Sequence, residues 1–363
     1  MELQLFGLST ISAPYTLAAF CFMGLLLVAA FSTSLIHPVH RKGIDRGLFL
    51  VFGFLLSAFA LLRPFGLALD DPSYLEILNA LCPVGDCSNG SPIVRDYVWF
   101  GLVSLGLQYW PGSLDVALVL SGLGVCIKLF VIDRLCRQRL LALLLLVPLS
   151  FIQYDMTQLR AGFASAWMML GIYWLVRSRV LLGGLTLLSN FMVHSQGIFS
   201  PGLLAYRLLG LRSWIFPGCT VILLGLIYVG LYPDASMLGW LGLAAESATY
   251  FSGLQAGNYD GMKVFPWGYL PLLGYGVWLW STATEEHKKI SNIVAASLLL
   301  GLALAWFFAI IPVIQTRLFD FYTLPLVFLA GNAGNSRLKI GLTCLLALML
   351  YLRLELVQDW ILG

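Results

Sequence analysis

The sequence predicts an all-α polytopic membrane protein of about twelve transmembrane helices. Three observations carry that prediction. Of the 363 residues, 60% are hydrophobic and 11% charged, whereas roughly 25% of a soluble chain is charged. Apolar runs alternate with short charged breaks. Lysine and arginine concentrate in alternate breaks, the bias that orients helices in a bilayer. So little polar sequence remains that a single integral membrane domain is expected over residues 1–363, with extracytoplasmic loops at about 67–112 and 233–263. The formal net charge of +3 selects no partner, and no nucleic-acid partner is expected.

The first residues, MELQ, carry no positive side chain, and the apolar run from Ile11 to Ile36 exceeds a signal core. It reads as the first span, about 11–35. The basic loop HPVHRKGIDR (37–46) follows, then a second span at about 48–66. The first long polar loop is expected to hold a short interfacial helix at Tyr97–Gln108. The third span, about 113–132, stops at DRLCRQR (133–139). The fourth to eighth are expected at about 140–153, 157–176, 180–193, 196–210 and 213–232. Beyond the second polar loop come the ninth at about 265–283, ended by EEHKK (285–289), then 291–311, 318–331 and 340–357. Fourteen residues of α-helix rise only about 21 Å, against a hydrocarbon core of about 30 Å. The fourth, sixth and eleventh spans are therefore expected to be broken, tilted or set against a wet cavity.

With the N-terminus outside, fifteen of the 21 lysines and arginines fall inside, Lys128 among them near the cytoplasmic end of its span. Six fall outside: Arg63, Arg95, Arg160, Lys263, Arg317 and Arg353. A charge at mid-bilayer costs about 2.5–3.5 kcal/mol on insertion scales, so each exception needs a reason. Arg160 opens the fifth span in YDMTQLRAGFASAWMMLGIYWL (154–175). Arg317 lies in IQTRLFDFY with Asp320 three residues on, Arg95 lies beside Asp96, and Arg63 directly precedes Pro64. Lys263 and Arg353 read as solvated or lipid-facing. Arginine forks onto phosphate oxygens and stays charged at every relevant pH, which suits an anionic headgroup or a diphosphate. The plainer alternative is that each pairs with a carboxylate or a lipid phosphate and holds a helix end.

His194 is the only histidine expected outside, at the end of the sixth span in SNFMVHSQG. Spans five and six form a hairpin through Arg177 and Arg179, so Arg160 and His194 emerge at the same end. The imidazole suits a general base or a diphosphate hydrogen bond, or else an interfacial bond to a carbonyl. Asp71, after Asp70 and before Pro72 and Tyr74, reads as a base or ion ligand, or as a helix cap. Asp96 before Tyr97 has the same two readings. A disulfide between Cys82 and Cys87, in CPVGDC, suits an oxidising compartment. The other cysteines and the histidines are scattered, and neither a metal nor a cofactor is expected.

Five motifs together resemble the EpsG family, within the Wzy-like (O-antigen and exopolysaccharide) polymerases. They are D-D-P-S-Y at the mouth of the first outer loop, R-D-Y before the short helix, Q-L-R-x-G-x-A heading a span, a histidine about 34 residues on, and R-L-x-D-F-Y. The likeness covers roughly residues 65–330 and departs from the pattern at Asp96, where Glu is expected, and in the Cys82–Cys87 segment. It implies a GT-C-like glycosyltransferase architecture. It also implies an enzyme of the bacterial inner (cytoplasmic) membrane with its active site facing the periplasm or exterior. There a growing glycan leaves undecaprenyl diphosphate for a sugar hydroxyl of the next lipid-linked repeat. On that reading Arg160 and Arg317, with Arg95 third, meet the leaving diphosphate. Asp71, Asp96 and His194 compete to be the base. Gln158, Asp320, Tyr322 and Arg63 are candidates for substrate binding. Implied partners are the undecaprenyl-diphosphate-linked oligosaccharide, membrane lipid and a chain-length regulator. Arg160, Arg317 and His194 are expected to line one outward-facing cavity.

Two other classes compete. A GT-C enzyme adding single sugars from a polyprenyl-phosphate donor is compatible with the Asp70–Asp71 pair. A flippase or transporter of lipid-linked sugar is disfavoured, because transporters place ionisable groups near the midplane and here they cluster at one face.

Overall fold

The computed structural model describes residues 18, 21–34, 38–63, 74, 76, 96–109, 115–204, 215–229, 231, 270–309, 311–334 and 336–352. Among them the regular structure is all helical. Four helical stretches are long and apolar enough to cross a bilayer: Arg41–Leu62, Asp115–Leu135, Leu159–Val176 and Glu285–Phe307. Their contacts gather into two units, residues 1–204 with 327–363, and residues 205–326.

In the first unit, α1 (Cys21–Ser34) meets α2 (Pro38–Leu62) through edge-on packing of Phe22 on Phe52, 5.4 Å between ring centres. The stretch expected as a basic loop is the start of α2. Pro38 suits a first helical position, and lysine and arginine propagate helix well. The short helix of the first polar loop is α3 (Tyr97–Tyr109), which buries Trp99, Phe100, Val103 and Leu107. Next come α4 (Asp115–Leu135) and α5 (Arg139–Leu146). A π-helical segment, Val147–Asp155, continues α5. Its Pro148 has no N–H for the α-helical ladder. The fourth expected span is thus a continuous helical rod with a widened second half. α6 (Leu159–Val176) and α7 (Val180–Val193) form the expected hairpin, turned by Ser178 in the left-handed region (φ 62°). Gly171 and Gly183 face each other across it: a Cβ on Gly183 would lie 3.1 Å from the Gly171 carbonyl.

Asp45 of α2 stitches the opposite end of this unit. Its carboxylate accepts the Arg139 N–H (3.0 Å) and the Leu140 N–H (3.3 Å), capping the bare start of α5 from another helix. Arg139 also bonds Asp133 (2.6 Å), which pairs with Arg46 (3.2 Å).

The second unit holds α8 (Ile215–Tyr228), α9 (Leu270–Ser281), α10 (Lys288–Phe307) and α11 (Pro312–Thr323). Phe216 packs edge-on against Trp280, whose indole N–H donates to Asn292 (3.0 Å). The Ser297 hydroxyl donates to the Tyr322 carbonyl (2.6 Å) and Gln315 to the Ala305 carbonyl (3.0 Å), joining α10 to α11. The expected eleventh span is two helices, because α11 stops before Pro325 and α12 (Leu326–Gly331) restarts after it. Within the first unit, the Gly331 carbonyl then accepts the Arg137 and Gln138 N–H groups (3.1 and 2.8 Å), and α13 (Arg337–Leu352) follows.

The Asp45 cap makes a testable prediction. Asp45→Ala should cost about 1–2 kcal/mol, lowering the melting temperature of the purified protein by a few degrees. An unchanged melting temperature in a detergent thermal scan would remove the cap from the account.

Candidate functional site

Asp96 is the junction of three segments distant in sequence. It immediately precedes α3 with φ at 55°, a left-handed conformation that Asp tolerates better than most residues. Its carbonyl accepts the Phe100 N–H at 3.0 Å, starting the helix. The residue is 96% buried.

Arg160 occupies the first turn of α6. Its Nη1 donates to Asp96 Oδ2 at 2.8 Å. Its backbone N–H, one of the donors a helix start leaves open, reaches the Tyr74 hydroxyl at 3.3 Å. The guanidinium carbon stands 5.6 Å from the Tyr74 ring centre and 5.5 Å from that of Phe100. These distances are within the range of cation–π attraction. Its Nε is buried without a hydrogen-bond partner among the described residues. A cation at a helix N-terminus opposes the helix dipole, so an arriving anion gains from both.

His194 follows the last residue of α7 and breaks the helix in extended conformation (φ −161°, ψ 146°). Its Nδ1 lies 3.1 Å from the same Asp96 oxygen that Arg160 holds, and the next N–H, of Ser195, donates to Asp96 Oδ1 at 3.1 Å. An ionised carboxylate only accepts, so Nδ1 carries a proton, and in the neutral ring the lone pair is then on Nε2. A 3₁₀ turn, Ser195–Phe199, fixes this geometry. It requires Gly197, since a Cβ there would lie 2.6 Å from the Asn190 carbonyl.

Burial pushes the Asp96 carboxyl up. The His194 hydrogen bond and charge, the Arg160 guanidinium and the Ser195 N–H outweigh it, and the net shift is below the ordinary value of 3.8.

The other expected site residues are placed as follows. Gln158 directly precedes α6; its N–H reaches the Gln153 carbonyl at 3.3 Å and its own carbonyl accepts the Gly162 N–H at 2.9 Å. Arg63 is buried at the end of α2. Arg317 is half-buried on α11 in the second unit, with Asp320 and Tyr322 buried on the same helix. Asp71, Arg95 and the Cys82–Cys87 pair lie outside the described residues. Among the described residues no group of His, Cys, Asp and Glu is placed to hold a metal ion.

Sequence reading passed over Phe100 and gave no role to Tyr74 or to the pairing of Lys128. Tyr74 and Phe100 clamp the guanidinium, although only the motif around Tyr74 drew notice. Lys128, counted as an inner topology charge, is fully buried and paired with Asp155 at 2.7 Å. The signal for that pair was available: a lysine inside the apolar run GVCIKLFVI requires a partner.

The arrangement is a recognisable class. Among the described residues, helical in all their regular structure, an arginine, a carboxylate and a histidine meet at one end of a helix hairpin. The profile of the EpsG family matches residues 48–359, most of the chain. The protein therefore belongs to the EpsG family, a family of Wzy-like polysaccharide polymerases. No curated protein and no solved structure matches it significantly.

The sign of the Asp96 shift sets a pH dependence. A carboxyl with a lowered folded-state value adds stability that is complete above its unfolded value near 3.8. That stability is lost as pH falls through the folded-state value. Wild type should therefore melt above Asp96→Asn at pH 5–7, with the gap closing below about pH 4. A gap independent of pH from 3 to 7 would contradict the shift.

Proposed function

We propose that the protein is a membrane glycosyltransferase, a polysaccharide polymerase. It transfers a growing glycan from undecaprenyl diphosphate to a sugar hydroxyl of a lipid-linked repeat at the outer face of the inner membrane. Family membership supports the class. The observation that carries the mechanism is the single Asp96 carboxylate shared by Arg160 and His194.

The chemistry follows from their charges. The acceptor O–H gives its proton to His194 Nε2 as its oxygen bonds to the anomeric carbon of the growing chain. The bond from that carbon to the diphosphate oxygen breaks, and the diphosphate leaves with the electron pair. Arg160 faces the negative charge as it develops. Asp96 holds the imidazole in the required tautomer and stabilises the imidazolium. Arginine offsets the charge of the leaving group, so on this reading the step requires no metal.

The finer features belong to this proposal. They are about twelve spans in a GT-C-like arrangement, and supporting roles for Arg317, Arg95, Asp71, Gln158 and Arg63 taken from the sequence pattern. The buried Lys128–Asp155 pair departs from the expectation that ionisable groups cluster at one face, and transport remains the second reading.

Arg160→Gln and His194→Ala should each reach the membrane at normal abundance and lower polymer formation about 10²-fold or more. Arg160→Lys keeps the charge but loses the planar fork and should fall between. Polymer of normal amount and length in Arg160→Gln cells, read on a gel of surface glycan, would refute the role given to Arg160.

A further inference from the structure

Beneath the site lies a second charged cluster that the transfer chemistry does not use. Lys128 of α4 and Asp155 are both fully buried. The three protons of the ammonium have three oxygen partners: Asp155 Oδ1 at 2.8 Å, Asp155 Oδ2 at 2.7 Å and Ser150 Oγ at 2.7 Å. From α4 as well, the Ser121 hydroxyl donates to the Asp155 carbonyl at 2.6 Å. An ionisable pair so deep in an apolar bundle is retained for a reason.

The π-helical segment explains how the cluster is built. Ser150 and Asp155 are five residues apart, and in an α-helix they would point about 140° away from each other. The wider π turn brings both to Lys128, and such turns recur at functional sites. The wide pattern continues into the corner that follows: Met156 N–H bonds the Phe151 carbonyl (2.9 Å) and Gln158 N–H the Gln153 carbonyl (3.3 Å).

That corner carries α6. A Cβ on Gly162 would lie 2.8 Å from Asp155 Oδ1 and 3.0 Å from the Tyr154 carbonyl. The first turn of α6 therefore rests directly on Asp155, two residues from Arg160. Gly124 of α4 stands level with Phe163 of α6, a Cβ there lying 3.4 Å from the Phe163 Cα. Counting about 1.5 Å per residue, the head of α6 is set back about 8 Å from the head of α4.

We propose that Lys128 and Asp155 are positioning residues: the buried pair, acting through the π-helical segment, sets the height of the α6 head and so places the Arg160 guanidinium beside Asp96. The proposal rests on the reading of Arg160 as the diphosphate ligand.

The test compares full-length wild type, Arg160→Gln and the neutral double variant Lys128→Met/Asp155→Asn in lipid nanodiscs. Undecaprenyl diphosphate is the probe, and its binding is titrated by tryptophan fluorescence. The double variant leaves no orphaned charge and should accumulate and melt like wild type. Its affinity should nevertheless fall about tenfold or more, as for Arg160→Gln. A purely structural pair would leave affinity untouched at equal stability. Wild-type affinity in the double variant, with loss in Arg160→Gln, overturns the positioning role and leaves the proposed function intact. Wild-type affinity in Arg160→Gln overturns the diphosphate reading, and this inference with it. Should the double variant fail to accumulate, Gly162→Ala decides. It keeps both charges but displaces the corner, and wild-type affinity there overturns the proposal.

Discussion

One carboxylate, Asp96, ties the heads of α3 and α6 to the turn that follows α7. It takes three polar partners from the other two segments: the Arg160 guanidinium, the His194 ring and the Ser195 N–H converge on its two oxygens. Hydrogen bonds to an ionised group are roughly twice as strong as neutral ones. The left-handed backbone at Asp96 is a local strain that this junction sustains.

The same junction explains why a paired arginine remains available to an anion. Asp96 uses only Nη1, and the rings of Tyr74 and Phe100 hold the guanidinium without consuming its donors. The side chain is 28% exposed, against 3% for Asp96. The cation is therefore the more exposed member of the pair. A fixed charge in a partly dry site acts more strongly on developing charge than one in water, and needs no reorganisation when the reaction occurs.

Much of the helical framework was legible. The α6–α7 hairpin stood out because Arg177 and Arg179 interrupt an apolar run, and the short helix at Tyr97 stood out as an amphipathic stretch within a polar loop. The basic stretch ahead of α2 read as a loop because charge was taken as a break, whereas Pro38 and the basic residues continue a helix out of the apolar zone. The convergence of Arg160 with His194 followed from hairpin topology alone. The pairing with Asp96 did not, since it joins residues 64 and 98 positions apart. Nor did the π-helical segment, which depends on the reach of Lys128 from another helix. Local pattern reports which face of a helix is apolar; it carries no record of which distant charge completes a buried pair.

The most direct test of the shared carboxylate is a cryo-EM structure of the full-length protein bound to undecaprenyl diphosphate. The account predicts diphosphate density within hydrogen-bond distance of the Arg160 guanidinium, with Asp96 still bridging to His194 Nδ1 and Nε2 facing the ligand. Diphosphate bound elsewhere, with Arg160 and His194 unchanged and out of contact with it, would contradict the account.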